Sequence, residues 1–199
     1  MPLYPYDLTK GQLLKTDEGS EDRGFIAHFE AAAAAALVAN GYVASTNMIV
    51  GAYTLALTAP TDGHAHGVSL ERTVVGAADT PGTVVVVGTD LAGDALTETI
   101  IPGAHATPVY GARAFATVTS ITGVGWVISE ANDTIVVGWF DLLGLPHMLT
   151  RNTVLCTFLN DALEGTAPTV TVSATVLAAN TVDLNTALDG NDVDVYYIA

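Results

Sequence analysis

From residue 42 to its end the chain is written in short apolar runs broken by turn residues. Thr- and Val-rich stretches at Asn47–Thr58, Val68–Val75, Thr83–Thr89, Ala95–Ile101, Ala112–Thr122, Thr134–Trp139, Thr153–Leu159, Thr169–Leu177, Thr181–Leu184 and Asp192–Ile198 read as strands, with Gly, Pro, Asp and Asn clusters between them. About eight to ten strands without helices between them imply an all-β fold, a β-sandwich or barrel, with the jelly roll nearest in strand count. In Phe115–Ile121, alternation sends Thr117, Thr119 and Ile121 one way and Ala116, Val118 and Ser120 the other, so neither face is strongly polar. A sheet built from such strands has an outer face that is itself partly covered.

The first 41 residues follow other patterns. Residues 1–22 mix Pro, Gly, Lys, Asp and Glu without a sustained period and read as an extended arm. From Glu21 to Asn40 the spacing predicts one short Ala-rich helix: acids at its start, Phe25, Ile26 and Phe29 on neighbouring turns, Ala31 to Ala36, and Gly41 as C-cap. So smooth a helix would pack on its own sheet or against copies of itself. The expected organisation is therefore an arm and helix over residues 1–41, then a jelly-roll-like β-sandwich domain over residues 42–199.

Composition narrows the class. Half of the 199 residues are hydrophobic and 14% are charged, more apolar surface than one small monomer hides comfortably, which favours an oligomer or a protein docked on a larger surface. The net charge of −15, with six Lys and Arg in all, argues against nucleic acid and against anionic membranes, and leaves a basic or neutral protein surface as partner. Cys156 is the single cysteine, so no intrachain disulfide forms, and its apolar setting reads as a buried structural thiol. No signal peptide and no apolar run of membrane-spanning length is expected.

Candidate chemistry is sparse. His64 and His66, at i and i+2 in a glycine-flanked loop, would point to one side and hold a transition metal with Asp62 or His105, or else sit in an exposed loop. The turns Asp90–Asp94 and Asp189–Asp194 offer carboxylates but miss the spacing of a calcium loop; Asp and Gly are ordinary hairpin residues. There is no Gly-x-Ser-x-Gly elbow, no phosphate loop and no His-Glu-x-x-His. Trp126 and Trp139 are candidates for stacking on sugars, and more readily core or interface anchors. No enzyme activity, cofactor or metal is assigned.

One segment carries a resemblance. Gly88-Thr89-Asp90, Gly93, Thr97–Ile100, Arg113 with Phe115–Ile121, Asp133–Val137 and Leu143-Gly144-Leu145-Pro146, together with Asn180–Leu184 and Val193–Ile198, resemble a recurrent pattern in virion proteins of tailed bacteriophages. The likeness covers roughly residues 82–199 and no part of the first 80. It implies a capsid decoration, cement or head-fibre protein, commonly a trimeric β-sandwich or jelly roll seated on the capsid lattice. The expectation is a structural protein made in the host cytoplasm and located on the capsid surface. It would bind the major capsid protein and associate as a homotrimer through strand edges and apolar side chains, with Phe25, Phe29, Trp126, Trp139 and Phe140 as interface candidates. The alternatives are a head or tail fibre module binding host glycans and a tail or connector ring component.

Overall fold

The computed structural model describes residues 14–16, 19–21, 24–49, 51–74, 82–127 and 133–199. Apart from one 3-10 turn at Leu177–Ala179, its regular structure is β throughout. The strands are β1 (Leu14–Thr16), β2 (Gly19–Glu21), β3 (Ile26–Ala31), β4 (Val38–Asn47), β5 (His66–Thr73), β6 (Thr83–Thr89), β7 (Ala95–Ile100) and β8 (Val109–Phe115). They continue as β9 (Thr117–Val124), β10 (Thr134–Gly144), β11 (Val154–Leu159), β12 (Ala162–Leu163), β13 (Thr169–Thr171), β14 (Thr181–Asp183) and β15 (Val193–Ile198). All pairings are antiparallel. The ladders form a six-stranded sheet β13-β14-β10-β5-β8 with β4 added beside β10, a four-stranded sheet β12-β11-β15-β3, a three-stranded sheet β7-β6-β9 and the small β1-β2 pair.

The arrangement is sandwich-like, with two apolar cores. The first fills the space between the β7-β6-β9 sheet and the larger sheet, with Val84, Val86, Leu96, Phe115 and Ile121 meeting Tyr42, Val68, Leu70, Ile135, Val137 and Trp139. The second lies under the four-stranded sheet, where Phe29, Val193, Val195 and Tyr197 meet Leu143, Leu145, Val182 and Leu184. Strand β10 serves both. Along Thr134–Trp139 it pairs with β4 and supplies the first core; at Leu143–Gly144 it pairs with β14 and supplies the second, while β5 runs beside it throughout.

The all-β expectation holds, but the Ala-rich helix does not form. Ile26–Ala31 is a strand paired along its length with Val193–Ile198, and its side chains alternate between exposed and buried. The alanines after it make a tight passage in which Ala33 takes φ 54°. Their backbone donors are claimed by distant acceptors: Ala33 N–H by Asp192 Oδ1 (2.9 Å), Ala34 N–H by the Asn191 carbonyl (3.0 Å) and Ala35 N–H by Asp62 Oδ2 (2.7 Å). Helix propensity is worth tenths of a kcal/mol per residue, and tertiary hydrogen bonds reached through small side chains outweigh it. The expected boundary at residue 41 falls inside β4, where Gly41 lies flat under the Trp139 ring and leaves no room for a Cβ. The expected arm, residues 1–22, lies mostly outside the described residues.

Two further differences have local causes. Asn47–Thr58 contributes only the end of β4 and an isolated bridge at Ala52, the strand having formed earlier, over Val38–Asn47. Ala112–Thr122 breaks at Ala116 into β8 and β9, which belong to different sheets, and an irregularity opposite Val87–Gly88 in β6 puts Val118 and Ile121 on the same buried side. A bulge of this kind cancels simple alternation.

Candidate interaction surface

The four-stranded sheet buries one face in the second core and turns the other outward. Register places Ile198 beside Ile26, Tyr196 beside His28 and Asp194 beside Glu30; on the other side of β15, Cys156 lies beside Tyr196 and Phe158 beside Asp194, and Leu163 follows on β12. The outward side chains are therefore largely apolar or aromatic. Ile26 is 69% exposed, Leu163 63% and Leu155, at an irregularity in β11, 56%. Tyr196 binds the face together, stacked on His28 with ring centroids 4.5 Å apart and met edge-on by Phe158 at 6.0 Å. Beside Leu155, Cys156 and Leu163 a cleft of about 330 Å³ runs toward Thr166 and Pro168.

One corner of this face is polar. His28 Nε2 lies 2.6 Å from Asp194 Oδ1, and Glu30 completes a group of ligand-type atoms all within 4.8 Å of one another. Imidazole and two carboxylates are the donors a divalent cation takes, and the three side chains stand on adjacent strands.

The residues singled out in the sequence part company. Trp139 is 2% exposed, donates Nε1–H to the Ala36 carbonyl at 3.1 Å and meets Tyr42 edge-on, so it is spent in the first core. Phe29 is likewise buried, in the second core. Trp126 is half-buried against the first core. Phe25, next to the outward face, is exposed and edge-on to His147 at 5.9 Å. Phe140 is half-buried and tilted against Tyr110 at 4.6 Å.

The histidine pair is not a ligand pair. His66 is shut from solvent, with Nε2 2.8 Å from Asp62 Oδ2 and Nδ1 3.1 Å from the Phe140 carbonyl, whereas His64 packs edge-on to Phe29 and His105 Nδ1 accepts from Val74 N–H. Burial pushes the Asp62 carboxyl up, but hydrogen bonds from His66, Ala35 N–H and His64 N–H, with the His66 charge, outweigh it and hold the group down at about 2. Both acidic turns are turns: Asp90 Oδ1 accepts from Ala92 N–H and Asp94 N–H around Gly93, and Asp189 Oδ1 accepts from Asn191 N–H around Gly190. The outward sheet face was not legible as a face, because its members alternate with core residues on strands that are far apart in sequence.

No family model, no curated protein and no solved structure matches the chain.

Proposed function

We propose that this chain is a non-enzymatic virion protein that decorates a phage capsid, binding major capsid protein subunits and its own copies, as a homotrimer, and so stabilising the shell. The observation that carries the reading is the outward face of the β12-β11-β15-β3 sheet, where Ile26, Leu155, Leu163 and Ile198 stand exposed around Tyr196. A continuous apolar and aromatic sheet face is the kind of surface that a folded chain covers by association. Two other features support it. The resemblance of residues 82–199 to phage virion proteins points to a building block, and the net charge of −15 suits a protein that must avoid nucleic acid and meet a less acidic protein surface. Many copies of a modest contact, repeated by symmetry, would hold a shell firmly.

The test is co-sedimentation with shells stripped of the protein, using the full chain and an Ile26→Lys, Leu163→Lys double variant, with the oligomeric state read by sedimentation equilibrium. Lattice-stoichiometric binding by the wild-type trimer and its loss in the folded variant are expected. Equal binding by the variant, or a few copies per particle, would refute the reading.

A further inference from the structure

Away from that face, two clefts meet at a shared wall of Leu37 and Tyr110. The larger, about 230 Å³, is lined by Leu37, Tyr110, Phe140, Asp141 and Asp183. The smaller, about 110 Å³, continues past Tyr110 to Ser69 and Glu71. Four separate parts of the sequence build the larger cleft: the segment before β4, then β8, β10 and β14.

Its chemistry is unbalanced. Asp141 Oδ2 accepts from Leu188 N–H at 3.3 Å, while Oδ1 is enclosed and accepts no hydrogen bond from the described residues. Burial pushes both carboxyls up, and the Asp141 charge pushes Asp183 further. His66 lies close enough to draw Asp141 down in part, yet its ring nitrogens are engaged by Asp62 and the Phe140 carbonyl. No Lys or Arg lines the cleft. Above the acids, Tyr110, 49% exposed, and Phe140 present two tilted rings with centroids 4.6 Å apart. In the adjoining cleft the buried Ser69 Oγ has no hydrogen-bond partner among the described residues. Two partly desolvated carboxylates, an aromatic pair and an unspent hydroxyl all ask for the same missing component, a flat cation carrying several N–H donors.

We propose that this cleft is a receptor for an arginine side chain presented by a basic segment of a partner protein, with Asp141 and Asp183 holding the guanidinium and Tyr110 and Phe140 covering it. Guanidinium stacks on aromatic faces, is weakly hydrated and pairs with carboxylates through a planar fork of donors, which matches each wall. A calcium ion would need six to eight oxygen ligands, and Leu37, Tyr110 and Phe140 supply none of the carboxylate or carbonyl kind from their side chains. The volume falls below the roughly 300–1,000 Å³ of clefts that take drug-sized ligands, so it suits one side chain. The identity of the partner as major capsid protein rests on the function proposed above; the cleft itself does not.

The experiment is a heteronuclear NMR titration of the full chain with n-propylguanidinium chloride, with neutral n-propylurea and calcium chloride as controls. Saturable shifts confined to Tyr110, Phe140, Asp141 and Asp183 are expected, in the millimolar range. Tyr110→Ala, an exposed position, should weaken binding about threefold to tenfold. An Asp141→Asn, Asp183→Asn double variant that retains the wild-type circular dichroism should lose it. The proposal is overturned if no saturable shift occurs, if propylurea shifts the same residues equally, if calcium binds there and propylguanidinium does not, or if Tyr110→Ala leaves binding unchanged. Guanidinium binding without shell binding would sink the capsid reading and leave the receptor standing; the converse result would do the opposite.

Discussion

Asp62 Oδ2 and His66 Nε2 lie 2.8 Å apart with both side chains closed to solvent, and the other His66 nitrogen faces the Phe140 carbonyl. Because both partners of the ring are acceptors, the imidazolium is the form that satisfies both bonds. The same carboxylate also receives Ala35 N–H and His64 N–H, so one ion pair ties the alanine passage, the loop before β5 and the middle of β10 together.

Removing one partner should leave the other buried and unpaired. His66→Ala and Asp62→Asn are expected to cost about 3–5 kcal/mol, measured by urea unfolding at neutral pH. A loss below 1 kcal/mol would show that the pair is not structural.

The same carboxylate sets an acid limit. Its folded value, about 2, lies below the ordinary 3.8, so the stability it contributes is complete above about pH 4 and is lost as pH falls through about 2. Thermal melts of wild type and Asp62→Asn should converge across that window. Parallel curves down to pH 2 would contradict it.

Asp183 has the opposite sign. A carboxyl pushed up by burial and by Asp141 favours the folded state at low pH and opposes it once ionised, so Asp183→Asn should raise the melting temperature at pH 7 and leave it nearly unchanged at pH 3. Differential scanning calorimetry at the two pH values decides this.

Gly41 carries no side chain because the Trp139 ring occupies the place where a Cβ would stand. Gly41→Ala should destabilise by about 1–3 kcal/mol through overpacking, with a shifted Trp139 emission as a local marker. Ala39→Ser, at an exposed neighbouring position, should do neither.

Ile26→Lys and Leu163→Lys, on the outward sheet face, should each change monomer stability by no more than about 0.5 kcal/mol while reducing association. Urea unfolding at low protein concentration separates the two effects.

Much of this was legible before the fold was known, and the exceptions are instructive. Thr83–Thr89 alternates strictly between half-buried and buried, and the Asp90–Asp94 turn closes around Gly93 as its residues imply. The alanine run misled because its backbone is held by Asp62, Asn191 and Asp192, partners that no local window contains. His66 was visible as a chemically capable residue, but its partner sits four positions back and its role depends on a carbonyl in β10. Asp141 and Asp183 were two acids among many until β10 and β14 paired.

Strand β10 leaves one core and enters the other without a break, and the Asp62–His66 pair grips it through Phe140, close to where its partner changes. Neither core can melt alone without stripping this strand from a neighbour that it needs in the other. The molecule should therefore yield as a single cooperative unit, and a pull on either end would reach the far core along one continuous backbone.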